Sequence, residues 1–302
     1  MIKNSNSIFS GIGVAIVTPF DDKNNFDKDA VFQLAENLIN NNISYVVVQG
    51  TTGESSTLEI NEKKIVNNTY IDAFKNKVPL ILGLSSNNTN YLCNEIKVTN
   101  LDGFDAIMSV CPYYNKPSQE GLYNHFLKIS QATTKPILMY NVPSRTGVNI
   151  NNETIINIYK NSDNIIGVKE ASGEVSRIKQ LKSKLENDFL VISGDDFTMI
   201  DAIRNGADGI ISVAANVYPK IMVETYNQII SDINNVKTLN DNNFVLNEFI
   251  NLIFEECNPS GIKYALSKLN LCSSKVRLPL SEISEKLKSK IEKFIKKHPP
   301  VN

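Results

Sequence analysis

The chain has 302 residues, 42% hydrophobic and 21% charged, an ordinary globular composition with ample apolar material for a core. Its formal net charge of -1, from 31 basic and 32 acidic side chains, gives no electrostatic case for nucleic acid or an anionic membrane surface. No apolar run approaches the ~18 residues of a membrane span, and Met1 to Gly11 lacks the apolar stretch of a secretory signal. In chain order, short apolar runs then recur: GVAIVTPF from Gly13, YVVVQG from Tyr45, PLILGL from Pro79 and DAIMSVCP from Asp105. PILMYNVP from Pro136, IIGVKEAS from Ile165, FLVISGDD from Phe189 and ADGIISVA from Ala207 follow. They are continuous rather than alternating, which predicts parallel strands covered on both faces.

Helical patterns lie between the runs. Asp27 precedes DAVFQLAENLI, Thr57 precedes LEINEKKIV, Ser118 with Glu120 opens the segment holding His125, and Asn152 with Glu153 opens ETIINIYK. Eight strands each followed by a helix predict an α/β chain with a closed (β/α)8 TIM barrel over residues 1–218. A doubly wound open sheet is the alternative, and it lacks a G-x-G-x-x-G after the first strand. Residues 219–302 read as a C-terminal helical extension packed on the barrel, interrupted by a polar break from Asn234 to Asn243.

Several chemistries are absent from the sequence. Cys93, Cys111, Cys257 and Cys272 are widely separated and read as buried free thiols, which fits a reducing cytoplasm. His125 and His298 offer neither a triad nor a zinc site. Catalysis must therefore run on Lys, Tyr, Thr, Arg or carboxylates.

In a barrel of this kind the active site forms at the C-terminal ends of the strands. Lys169 lies inside the apolar run IIGVKEAS, where burial lowers the pKa of an ammonium and frees a nucleophilic amine. The alternative is a structural ion pair with Glu170 or Glu54. Tyr140 ends the neighbouring run and can move protons, or be a half-buried barrel aromatic with a bonded hydroxyl. Gly50-Thr51-Thr52-Gly53 is a glycine-bounded turn able to hold a carboxylate, or an ordinary strand-to-helix turn. Arg145 can grip a second carboxylate bidentately, or be a surface arginine.

GTTGESSTL from Gly50, PYYNKPSQEGLYNHF from Pro112, YNVPSRTG from Tyr140 and GVKEASG from Gly167 resemble the signature blocks of a known family. So do SGDD from Ser193, ISVAANV from Ile211, NPSGIKYAL from Asn258 and VRLPL from Val276. The chain from about Gly13 to Pro279 resembles the dihydrodipicolinate synthase / N-acetylneuraminate lyase family. The resemblance implies a Schiff base between Lys169 and pyruvate, with Tyr140 as general acid and base. It implies that Thr51 and Tyr114 complete a proton relay, Tyr114 reaching across a dimer interface. It makes Thr52 and Ile211 pyruvate-binding positions and Gly194 a substrate-binding one, and it gives Arg145 the carboxylate of the second substrate. Lyases of the family usually carry Ser in place of Thr51 and lack an arginine in the block after Tyr140, so Arg145 points to the synthase branch. That branch condenses pyruvate with L-aspartate 4-semialdehyde to 4-hydroxy-tetrahydrodipicolinate, on the way to diaminopimelate and lysine. A homotetramer of two dimers and no metal or organic cofactor are further implications. Another pyruvate-lysine aldolase, acting on N-acetylneuraminate or 2-keto-3-deoxygluconate, and a catalytically silent relative are the alternatives.

Asn87 and Tyr113 match the family's lysine effector site. Lysine-inhibited relatives tend to have histidines where Ile60 and Lys63 stand and a glutamate where Tyr91 stands. Tyr91 therefore removes the carboxylate that would meet lysine's ammonium, which predicts weak or absent feedback.

Overall fold

A computed structural model describes residues 8–231 and 240–300. Eight strands, β1 (Gly11–Ala15), β2 (Tyr45–Val48), β3 (Leu80–Gly83), β4 (Ala106–Val110), β5 (Ile137–Asn141), β6 (Ile165–Glu170), β7 (Leu190–Ser193) and β8 (Gly209–Ser212), run in sequence order around a closed barrel. The pairs whose register is resolved are parallel, such as Tyr140 opposite Lys169 and Lys169 opposite Ile192. Nearly every strand residue is buried, which is why the runs are continuously apolar. At the start of β8 a Cβ on Gly209 would lie 2.1 Å from the Gly11 carbonyl oxygen, so this approach admits glycine alone.

The helices are α1 (Lys28–Asn40), α2 (Ile60–Phe74), α3 (Thr89–Val98), α4 (Gln119–Ser130), the single turn α5 (Pro143–Thr146), α6 (Asn152–Lys160), α7 (Val175–Lys184) and α8 (Met199–Arg204). Then follow α9 (Pro219–Ser231), α10 (Asn240–Phe254), α11 (Ser260–Ser267) and α12 (Glu285–Lys297). Two of the expected starts are capped as read: Asp27 accepts from the Ala30 N–H and Ser118 from the Gly121 N–H. Thr57 does not start α2. It ends a 3-10 turn in which its hydroxyl donates to the Glu54 carbonyl at 3.0 Å, and the helix begins three residues later, after Glu59. Asn152 is the first residue of α6, and Asn151 occupies the cap. The run from Gly13 also leaves the ladder earlier than its composition suggests. The chain after Ala15 stays buried because side chains take its backbone groups: Asn216 accepts from the Val17 N–H at 3.3 Å and Tyr70 donates to the Val17 carbonyl. Most of the polar break expected from Asn234 to Asn243 lies outside the described residues, and α10 begins within it at Asn240.

The chain divides into two compact units, one built mainly of Pro79–Ile211 and one of Ile12–Val78 with the chain from Ser212 onward. In the second unit an aromatic cluster joins the terminal helices: Tyr218 meets Phe249 edge-on at 4.7 Å, and Phe249 stacks on Phe294 at 5.6 Å. No helix among the described residues is long and apolar enough to cross a membrane.

Candidate active site

In the Pro79–Ile211 unit the site is built around Lys169. It is 5% exposed, near the C-terminal end of β6, with its Nζ 4.5 Å from the ring centroid of the buried Tyr140. Strand alternation separates it from its neighbour. Asn141 and Glu170 are register partners on the other face, where the Glu170 carboxylate accepts from Asn141 Nδ2 at 3.0 and 3.1 Å. It also accepts from the Ser172 N–H at 2.8 Å and from Arg177 Nε at 3.1 Å. The Glu170 charge is thus matched by α7, not by Lys169. Glu54, the other possible ion-pair partner, is bound to Lys263 at 2.5 Å. Each of these two carboxylates thus meets another cation.

Burial pushes the Lys169 amine down to about 8, with the nearby Arg145 charge also lowering it and the Asp196 carboxylate raising it. At pH 7 about a tenth of such an amine is neutral, against about one part in three thousand for an unperturbed lysine. Burial therefore raises the share of free amine on Lys169 at neutral pH. The thiols of Cys111 and Cys272 are pushed up to about 12 by burial, so neither competes. His125 is pushed down to about 4 by burial on α4, with its Nδ1 2.9 Å from the Thr89 hydroxyl.

Gly194 makes room for the lysine. A Cβ there would lie 2.6 Å from Lys169 Cε and 2.7 Å from Ala171 Cβ. Arg145 is exposed on the turn α5 that directly follows β5. Ile211 is buried in β8. Tyr114 is 87% exposed, in a left-handed conformation at φ 74, and its N–H donates to the Thr146 carbonyl at 3.4 Å. Asn87 Nδ2 donates to the Tyr113 carbonyl at 3.3 Å, and Tyr91 is exposed near the start of α3. Asp196 was assigned no role from sequence. A buried carboxylate whose charge reaches Lys169 is visible only once β6 and the turn after β7 are placed.

In the other unit, the turn after β2 is closed by hydrogen bonds from the Gly53 N–H to Gly50 O and from the Glu54 N–H to Thr51 O, both 3.1 Å. No backbone carbonyl among the described residues takes the N–H of Thr51 or Thr52, which leaves two donors for an anion. Thr51 is exposed, whereas Thr52 is buried with its Oγ1 accepting from Asn258 Nδ2 at 3.1 Å.

A buried lysine with a lowered pKa thus lies beside a tyrosine at a barrel strand end. The model of the dihydrodipicolinate synthetase family matches residues 8–298. The chain belongs to that family. It is 44% identical over 283 residues to a 4-hydroxy-tetrahydrodipicolinate synthase of Karelsulcia muelleri, covering 93% of this chain and 95% of the relative. A synthase of the same name from Flavobacterium psychrophilum is 39% identical over 292 residues, covering 95% and 98%. Among solved structures, the chloride-inhibited dihydrodipicolinate synthase of Acinetobacter baumannii, complexed with pyruvate, is 38% identical with a TM-score of 0.90. That likeness covers 95% of this chain and 98% of the other. Membership of the family agrees with the (β/α)8 barrel.

Proposed function

We propose that this chain condenses pyruvate with L-aspartate 4-semialdehyde to 4-hydroxy-tetrahydrodipicolinate. The observation that carries the reading is Lys169, whose amine is brought to about 8 by burial at 4.5 Å from the Tyr140 ring. The neutral Lys169 amine attacks the keto carbon of pyruvate, and the keto oxygen leaves as water with a proton from the Tyr140 hydroxyl. The iminium withdraws electrons, so a C3 proton is lost and an enamine forms. The enamine carbon attacks the aldehyde carbon of the second substrate, whose carboxylate pairs with Arg145. The amine of that substrate then displaces Lys169 as the ring closes, which frees the lysine for the next turnover.

Family resemblance assigns the remaining parts. Thr51 and Tyr114 relay protons with Tyr140, Thr52 and Ile211 hold pyruvate, and Gly194 belongs to the substrate site. The Thr51 and Thr52 N–H groups, which no backbone carbonyl among the described residues takes, support a carboxylate at that turn, and the 87% exposure of Tyr114 supports its use by a partner subunit in a homotetramer. Asn87 and Tyr113 form the effector position. Free thiols at all four cysteines support a cytoplasmic setting.

A coupled assay of purified protein with pyruvate and aspartate semialdehyde tests the reaction, with N-acetylneuraminate cleavage run beside it. Turnover of the semialdehyde alone is expected, because Arg145 supplies a carboxylate anchor. Cleavage of the sugar acid without semialdehyde turnover would overturn the synthase reading and keep the lysine aldolase. In Arg145→Ala the KM for the semialdehyde should rise by about tenfold or more with little change for pyruvate.

A further inference from the structure

The turn from Gly50 to Glu54 is flanked by two residues in a conformation that non-glycine side chains seldom adopt. Gln49 has φ 55 and Glu54 has φ 52, both left-handed. Each is held there by its buried side chain. Gln49 Nε2 donates to Asn67 Oδ1 at 2.5 Å and to the Lys63 carbonyl at 3.2 Å. The Glu54 carboxylate takes Lys263 Nζ at 2.5 Å and the Arg277 N–H at 3.0 Å, and Lys263 donates onward to the Lys275 carbonyl at 2.8 Å. Between these anchors, Thr18 donates to the Gly53 carbonyl at 2.6 Å and Asn258 to Thr52 Oγ1 at 3.1 Å.

Stability alone does not account for these choices. A fully buried ion pair is often no better for stability than an apolar pair of the same volume. Asn258 is 6% exposed, and among the described residues its Oδ1 meets no donor. A half-satisfied buried amide is a net cost unless its one bond does something else. What that bond fixes is the rotamer of Thr52, beside the two N–H groups that no backbone carbonyl among the described residues takes.

We propose that Asn258, together with the Glu54–Lys263 pair, is a positioning device that aims the Thr51 and Thr52 N–H groups at the carboxylate of pyruvate. This rests on the reading above that the turn holds that carboxylate. A donor pair is useful to an anion only at one geometry, and a turn bounded by two strained residues keeps it only while both ends are pinned. The segment carrying Asn258, Lys263 and Arg277 therefore tunes pyruvate recognition without touching the substrate.

The test is borohydride trapping of the lysine imine, with half-saturation measured for pyruvate and for its methyl ester, which lacks the charge. The parent should prefer pyruvate. In Asn258→Ala the half-saturation for pyruvate should rise by about tenfold while that for the ester stays put, so the preference collapses. Thr52→Val removes the same bond from its other end and should give the same result, which covers the case of a poorly folded Asn258 variant. Collapse of the preference at an unchanged melting temperature supports the proposal. A preference that survives in both variants, whether or not they melt lower, overturns it and leaves the carboxylate reading intact. A parent with no preference for pyruvate over its ester would overturn the carboxylate reading and the proposal with it.

Discussion

Replacing Gly194 by alanine adds a methyl group at 2.6 Å from Lys169 Cε, 2.9 Å from its Cγ and 2.7 Å from Ala171 Cβ. Carbon atoms settle at about 3.5–4.0 Å, so the lysine side chain must give way by about 1 Å. Ala171 closes off the simplest way for the new methyl to tilt aside. A displacement of that size in a reacting group costs on the order of 100-fold in rate, about 2.7 kcal/mol of barrier. Overpacking should also lower stability by about 1–3 kcal/mol, which leaves a folded protein to assay. Turnover in the coupled assay and the rate of borohydride trapping at saturating pyruvate should fall together, because both depend on the same amine. A variant within about threefold of the parent in both would refute the reasoning, since it would show that Lys169 does not depend on the space over Gly194.

Trapping at subsaturating pyruvate should rise with pH and reach half its plateau near 8, the value to which burial brings Lys169. Arg145→Ala should move that midpoint up and Asp196→Asn should move it down, because the two charges act on Lys169 with opposite sign. A midpoint near 10 in the parent would contradict the burial argument. Lys169→Met should be more stable than the parent at pH 7, by up to about 3 kcal/mol in chemical denaturation. The parent's folded amine titrates near 8 and its unfolded amine near 10.5, so between these values the unfolded chain holds the extra proton and the parent gains stability as pH rises. The advantage of methionine should accordingly shrink above pH 8 and vanish above 10.5, and an advantage independent of pH would refute it. Added L-lysine should leave steady-state turnover nearly unchanged, because by family resemblance Tyr91 takes the place of the acidic partner for its ammonium. Tight inhibition in a titration would contradict that.

The barrel was legible because strands buried on both faces admit little but apolar residues, and the runs around Val46, Ile107, Leu138 and Val191 are of that kind. Lys169 was legible for the same reason, as a charge where none is expected. Boundaries were harder to read. The run from Gly13 continues to Phe20, yet the strand ends at Ala15, because Asn216 and Tyr70 serve backbone groups that a ladder would otherwise serve. Thr57 has the chemistry of a helix cap, but its hydroxyl is engaged by the Glu54 carbonyl in the preceding turn. The pairings that decide the electrostatics were out of reach, since nothing local tells that Glu170 meets Arg177 or that Glu54 meets Lys263 from the far end of the chain. Lys263 sits in a helix whose residues are buried on every side, and only its carboxylate partner explains a charge there.

The proposed reaction depends on an imine between the Lys169 amine and pyruvate. The protein is incubated with pyruvate, reduced with borohydride, digested, and its peptides are weighed by mass spectrometry. One modified peptide is expected, carrying Lys169 and heavier by pyruvate less one water plus two hydrogens, with no adduct in Lys169→Ala. An adduct on any other lysine, or trapping that persists in Lys169→Ala, would contradict it.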